Sequence, residues 1–241
     1  MKILITAGGT SEKIDDVRSI TNHSTGRLGK AIAERFAKSG ATIDYVTTQQ
    51  AVLPQAEAIT FHMIESTADL AHTITDLLTK NNYTAVIHSM AVSDFTPESS
   101  VTLAELEQVT AQQPADLAQA LATQAKRRTE KKISSDTDHL VLILKKNPKI
   151  IALIKELQPA TILVGFKLLV DVPLVKLLDV AHQSLVKNQA DFILANDLAQ
   201  ISGEHHPGFL LNRDNQVKKA QTKTEIADLI AQEVLALEEK K

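Results

Sequence analysis

The sequence contains no cysteine and no tryptophan, and only two tyrosines and six phenylalanines. Without cysteine there is no disulfide framework, no thiolate nucleophile and no Cys-based zinc site. Long apolar runs are missing too, since no stretch approaches the roughly 20 residues needed to span a bilayer. The first residues run straight into a strand pattern without signal-peptide character, so the expected location is cytoplasmic. An excess of one charge is also lacking: 26 basic and 29 acidic residues leave a formal net charge of −3. That balance favours neither a nucleic-acid-binding surface nor a polybasic membrane surface, and an anionic ligand must meet a local positive site. The histidines are dispersed except for His205 and His206, which are expected in a loop and solvated. What remains is an ordinary apolar fraction of 44% over 241 residues, enough for one large α/β domain or two small ones.

Residues 3–33 organise the reading. Ile3, Leu4 and Ile5 form a short apolar run that stops at Ala7-Gly8-Gly9-Thr10, the pattern of a buried strand ending in a turn. Gly8 and Gly9 allow another backbone or a ligand phosphate to come close. A helix pattern resumes near Gly26, with Leu28, Ile32, Ala33 and Phe36 at helical spacing and a stop at Gly40. Ahead of it stands Asn22-His23-Ser24-Thr25-Gly26, rich in donors and acceptors. A helix start after a strand and a Gly-rich turn suits an anion; the alternative is that Ser24 or Thr25 merely caps the helix. A dinucleotide fingerprint is excluded because a long polar segment separates turn from helix, and residues 42–48 end without a ribose-binding carboxylate. A P-loop is excluded because no Gly-Lys-Ser/Thr follows.

Strands and helices then alternate. Residues 42–48 read as a strand, and residues 67–80 as a helix with Leu70, Ile74, Leu77 and Leu78 on one face. Ala85-Val86-Ile87 leads to a polar loop holding Ser89, Met90, Ala91, Ser93 and Asp94. In an open parallel sheet ligands lie beyond the carboxyl ends of strands, so this loop should face the Gly8-Gly9 turn. Asp94 alone could be a turn carboxylate. Residues 99–129 change character, with helical segments broken at Pro114 and a basic run from Lys126 to Lys132. That run reads as a solvated surface or as a flap over an anionic ligand. Residues 140–144 form an apolar strand, and Pro148 suits the first position of a new helix with Asn147 as its N-cap. Strands follow at 161–165 and 192–195, separated by a helix over 173–188. A hairpin at 208–218 and a last amphipathic helix through Ile226, Leu229, Ile230, Val234 and Leu237 complete the pattern. The expected fold is α/β and Rossmann-like: a mostly parallel sheet flanked by helices, with a C-terminal hairpin and a flap. It forms a single domain over 1–241 with a helical and flap insertion around 99–137.

Ala7-Gly8-Gly9-Thr10, Val17-Arg18-Ser19-Ile20-Thr21-Asn22-His23-Ser24-Thr25-Gly26-Arg27-Leu28-Gly29 and Ala91-Val92-Ser93-Asp94-Phe95 resemble the motifs of the phosphopantothenoylcysteine synthetases, in their bacterial monofunctional form. The resemblance continues through Lys132-Ile133-Ser134, Lys146-Asn147-Pro148, Gly165-Phe166 and Ala195-Asn196-Asp197. It implies a ligase of coenzyme A biosynthesis that joins 4'-phosphopantothenate to L-cysteine through an acyl-nucleotide. CTP is the implied cosubstrate, with ATP as the alternative, and Mg2+ accompanies the triphosphate with no ligand set visible in the sequence. The implied catalytic residues are Asn22 and Lys132, and Arg18, Asn22, Met90 and Ala91 would contact phosphopantothenate. The nucleotide would meet Gly8, Gly9, Ser24, Thr25, Gly26, Ser89, Asp94, Lys132, Asn147, Pro148, Ile150, Phe166 and Lys187. Two departures stand out: Lys149 occupies the place of an aspartate, and Gln183 replaces the first of two lysines of which Lys187 is the second. The link before Lys132 is longer than usual, which leaves Lys131 as an alternative register. The resemblance further implies a homodimer in which Arg18 reaches the neighbouring subunit's phosphopantothenate, against the plainer reading of a surface arginine paired with Asp15 or Asp16. A short-chain dehydrogenase lacks support because neither Tyr45 nor Tyr83 has a lysine four residues on; a non-catalytic nucleotide- or phosphometabolite-binding regulator on the same fold is the other alternative.

Overall fold

The computed structural model describes residues 1–125, 133 and 137–240. In chain order the first half runs β1 Lys2–Thr6, β2 Ser11–Lys13, β3 Ser19–Thr21, α1 Arg27–Lys38, β4 Thr42–Thr47, β5 Ile59–Met63, α2 Thr67–Lys80 and β6 Ala85–His88. An excursion follows, made of β7 Phe95–Thr102, α3 Leu103–Ala111, α4 Leu117–Ala125 and β8 Leu140–Lys146. The chain then returns through α5 Ile150–Leu157, β9 Ile162–Leu169, α6 Leu174–Lys187, β10 Phe192–Asp197, β11 His205–Asn212, β12 Val217–Thr222 and α7 Lys223–Glu238.

The main sheet has the order β12-β11-β10-β9-β6-β1-β4-β5. Its pairings from β5 to β10 are parallel, and β11 and β12 are added antiparallel. The chain moves outward from β1 through β4 to β5, then returns to the other side of β1 at β6. The carboxyl ends of β1 and β6 therefore flank the switch point where an open α/β sheet gathers its ligands.

Both faces of the sheet are covered, which is why its central strands read as continuous apolar runs rather than alternating ones. On one face Ile32, Ala33 and Phe36 of α1 and Ile226, Ile230 and Val234 of α7 pack on Ile3, Ile5, Ile87, Val164 and Leu194. On the other, Leu70, Ile74, Leu77 and Leu78 of α2, with α5 and α6, cover Leu4, Val46, Val86, Leu163 and Ile193. Helix α2 starts at a full capping box, Ser66 with Asp69, so its boundaries follow directly from sequence.

Three expectations are corrected by the structure. Residues 99–102, expected at the start of the helical insertion, belong instead to β7, which pairs antiparallel with β8 in a separate two-stranded sheet. Helices α3 and α4 close over one face of that pair with their own small core of Val101, Val109 and Leu121. The N-cap of α5 is Lys149, with Asn147 and Pro148 before the helix. His205 and His206 lie on β11 rather than in a loop, and burial, with Lys223 nearby, pushes the His206 imidazole down to about 4.

Candidate active site at the sheet switch point

Gly8 turns the chain after β1 with φ 95°, a conformation open to glycine and strained for other residues. The following residues zip to the loop after β6. The Ala91 N–H donates to the Gly8 carbonyl at 2.9 Å, and the Thr10 N–H to the Ala91 carbonyl at 3.1 Å. Gly9 and Ala91 form a parallel bridge. The Ser93 N–H completes the zipper by donating to the Thr10 hydroxyl at 2.9 Å. Two loops that the sequence separates by some eighty residues thus share one rigid backbone frame.

Asn22 is laid over that frame. Its N–H reaches the Thr10 carbonyl at 3.4 Å, and its own carbonyl passes so close to Gly9 that a β-carbon there would lie 2.2 Å from it. Gly9 is therefore a close-approach glycine. Gly26 stands at the N-cap of α1 with φ 71° and no side-chain cap, so neither Ser24 nor Thr25 acts as the cap. The Thr25 carbonyl instead accepts the Val52 N–H at 3.0 Å. One turn into α1, a β-carbon on Gly29 would lie 2.3 Å from the Ala7 side chain and 2.9 Å from the Ser89 hydroxyl. The helix start is thereby drawn down onto the ends of β1 and β6. This leaves the first amides of α1 beside the Gly8 turn, an arrangement suited to an anion.

Of the other predicted residues, Ser89 donates its hydroxyl to the Thr6 carbonyl at 2.7 Å. Met90 and Ile150 are buried in the α2–α5–α6 core layer, so contact with a ligand falls to their main chains. Phe166 lies at the rim of the other core layer. Asn147 joins the frame: its side-chain amide donates to the Ser93 carbonyl at 3.0 Å and its N–H to the Asp94 carbonyl at 2.9 Å. Asp94 is exposed and ion-paired with Lys149, the residue that replaces the usual aspartate. A cation at a helix N-terminus opposes the helix dipole, and Asp94 offsets that.

Lys187 is not brought to this crevice. It ends α6, and because α6 runs antiparallel between β9 and β10, its last turn lies where β10 begins, at the opposite edge of the sheet. Lys132 and the alternative Lys131 lie outside the described residues. Arg18 pairs with Asp15, Nη2 to Oδ2 at 2.6 Å, as in the plainer of its two readings.

Residues that organise the site but were not among the predicted site residues are Thr10, Glu12 and His88. Glu12 is 3% exposed and accepts the Thr67 N–H at 2.8 Å and its hydroxyl at 2.7 Å, fixing the N-terminus of α2 to the turn. His88 contacts the Thr6 hydroxyl through Nδ1 at 2.8 Å, and burial pushes its imidazole down to about 4. Ser93 Oγ and Tyr45 OH are buried with no hydrogen-bond partner among the described residues. A cavity of about 530 Å³ opens on the β4–β5 side of the turn, where Gly9, Ser11, Gln49, Glu65 and Asp69 are among its walls. Gly9 is its only predicted site residue. Among the described residues no group of three or more His, Asp or Glu side chains could hold a metal, and no helix is long and apolar enough to cross a membrane.

The chain matches the family model described as DNA/pantothenate metabolism flavoprotein C-terminal domain over residues 1–104 and 105–237. A coenzyme A biosynthesis bifunctional protein CoaBC from Thermococcus kodakarensis is 31% identical over 234 residues, which make up 97% of this chain and 50% of that protein. Its counterpart from Methanocaldococcus jannaschii is 27% identical over 98% of this chain and 51% of that protein. The chain thus spans about half the length of these curated relatives. Among solved structures, the DNA/pantothenate metabolism flavoprotein from Streptococcus pneumoniae is 45% identical with a TM-score of 0.88, covering 98% of this chain and 99% of that one. The C-terminal domain of a CoaBC protein has a TM-score of 0.70 at 26% identity, covering 99% of this chain and 96% of that one.

Proposed function

The chain belongs to the DNA/pantothenate metabolism flavoprotein C-terminal domain family, and from that membership we propose that it is a phosphopantothenate:cysteine ligase. The observation that carries the reading is the junction of Gly9, Asn22 and Ala91 at the sheet switch point, where two loops and a helix start meet on one hydrogen-bonded frame. The reaction is amide formation between the carboxylate of 4'-phosphopantothenate and the amine of L-cysteine. A carboxylate has no useful leaving group at neutral pH, so it first attacks the α-phosphorus of a nucleoside triphosphate and releases pyrophosphate. The cysteine amine then attacks the acyl carbon, loses a proton and expels the nucleoside monophosphate. CTP is the proposed triphosphate.

The chain's share is positioning and charge stabilisation. The α1 amides after Gly26 receive phosphate oxygens, the Asn22 amide holds the acyl-nucleotide, and Phe166 lies beside the base. Lys149, held against Asp94, adds a cation at the mouth of the crevice. Mg2+ bound with the triphosphate would supply charge neutralisation, and the exposed Asp94 carboxylate is a residue that could help to hold it.

The proposed enzyme is a homodimer. Leu140, Leu142 and Leu144 alternate along β8 on the face turned away from the small core that Val141 and Ile143 join, which leaves an apolar strip suited to a second copy. Incubation with CTP, 4'-phosphopantothenate, L-cysteine and Mg2+ tests the reading: pyrophosphate and CMP should form in step with the amide. No pyrophosphate with either CTP or ATP would contradict it.

A further inference from the structure

Asp15 sits in the turn between β2 and β3 with its side chain only 4% exposed. One carboxylate oxygen accepts the Val17 and Arg18 main-chain N–H groups at 2.9 and 2.7 Å. The other accepts Arg18 Nε at 3.0 Å, Arg18 Nη2 at 2.6 Å and the Ile133 N–H at 3.1 Å. Arg18 Nη2 also donates to the Ile133 carbonyl at 2.8 Å. Both main-chain polar groups of Ile133 are therefore held by one ion pair that lies more than a hundred residues earlier in the chain.

An ordinary i,i+3 surface pair would have no such third party and would leave the carboxylate in solvent. Here the Arg18 guanidinium, followed by the amides, holds the Asp15 carboxyl far below the usual carboxylate range despite burial. The acceptor is thus held in its charged form by the partners around it. Ile133 is itself buried at 9% exposure. We propose that Asp15 is a positioning residue: it sets which edge of the Arg18 guanidinium faces outward, and it fastens Ile133 to the same turn.

The consequence follows from donor geometry. Guanidinium presents five N–H groups in a rigid fork. Nε and Nη2 are engaged by Asp15 and Ile133, and Nη1 has no partner among the described residues. Nη1 is therefore the edge offered to an anion, and a phosphate bound there pulls on the same ion pair that holds Ile133. Phosphate recognition and the anchoring of Ile133 thus become one unit. This rests on the reading of Arg18 as a phosphate-binding residue; the clamp on Ile133 does not.

The test is amide hydrogen exchange on the full chain without ligands, comparing wild type with Asp15→Asn and Arg18→Ala. The Ile133 amide should exchange about tenfold faster or more in both variants, the loss expected for a charge-assisted hydrogen bond, while the Ile5 and Ile87 amides are unchanged. Unaltered Ile133 exchange in both would overturn the proposal. If Asp15→Asn also loosens Ile5 and Ile87, Arg18→Ala decides, because that side chain is 40% exposed. In turnover assays Asp15→Asn should raise the apparent KM for 4'-phosphopantothenate about tenfold and leave that for L-cysteine unchanged, with Asp15→Glu recovering part of the loss. Equal rises for both substrates would mark a merely structural residue. Should the wild type show no turnover, the ligase reading fails while the exchange comparison still judges the clamp.

Discussion

The hydroxyl of Thr10 accepts the main-chain N–H of Ser93 at 2.9 Å, and both residues are buried. Thr10→Val keeps the shape but strands that N–H away from water. It should cost ~1–3 kcal/mol, read as a lower urea midpoint with an unchanged m-value. A variant as stable as wild type would mean that the two loops are held apart from this bond.

Gly9→Ala places a methyl group on the Asn22 carbonyl. Overpacking of this kind costs ~1–3 kcal/mol, and the strain falls on Asn22 itself. Activity should therefore fall much further than stability. Gly40 is the control: unlike Gly9 it has positive φ, so Gly40→Ala strains the backbone, but a β-carbon there meets nothing within 4 Å and activity should be kept. Full activity in Gly9→Ala would remove Asn22 from the reacting centre.

Stability should fall on mild acidification. The folded pKa of His88 is about 4 and its ordinary value is 6.5, so between these pH values the unfolded chain carries a proton that the folded chain does not. Stability is complete above 6.5 and is lost as pH falls through that window, at ~1.4 kcal/mol per pH unit for each such histidine. His206 behaves alike. Urea titrations from pH 7 to 4.5 check this, and His88→Gln should flatten the slope whatever it does to the absolute stability.

Lys149→Gln separates a surface ion pair from a ligand contact. Lys149 and Asp94 are both more than half exposed, so stability should change by no more than ~1 kcal/mol. The apparent KM for the nucleotide should rise, and the rise should shrink as salt is added. An unchanged KM at low salt would leave Lys149 without a role toward the triphosphate.

The parts of this molecule that could be read in advance are those whose cause is local. The β1 turn, α1 and α2 follow from apolar spacing, close-approach glycines and the Ser66–Asp69 capping box. Strand β5 was illegible because it is an edge strand with Phe61 and Met63 exposed, so no buried alternation marks it. The β7–β8 pair was illegible for another reason: its partners are about forty residues apart, and β7 carries the polar run Thr96-Pro97-Glu98-Ser99-Ser100. At the site, motif matching picked out Gly9, Asn22 and Ala91, which the frame brings together. It also picked out Lys187, which the α6 crossover carries to the far edge of the sheet. The roles of Thr10, Glu12 and Asp15 were not legible, because each acts on distant main chain, at Ser93, Thr67 and Ile133, which no spacing rule records.

The central claim, that an acyl-nucleotide forms at the Asn22 crevice, is tested most directly by following oxygen. 4'-Phosphopantothenate labelled with ¹⁸O in both carboxylate oxygens is turned over with CTP and L-cysteine, and the products are weighed by mass spectrometry. Attack on the α-phosphorus predicts one ¹⁸O in each CMP, one retained in the amide, and none in pyrophosphate. Label in inorganic phosphate, with the nucleotide recovered as CDP, would contradict the account by showing that activation passes through an acyl-phosphate instead.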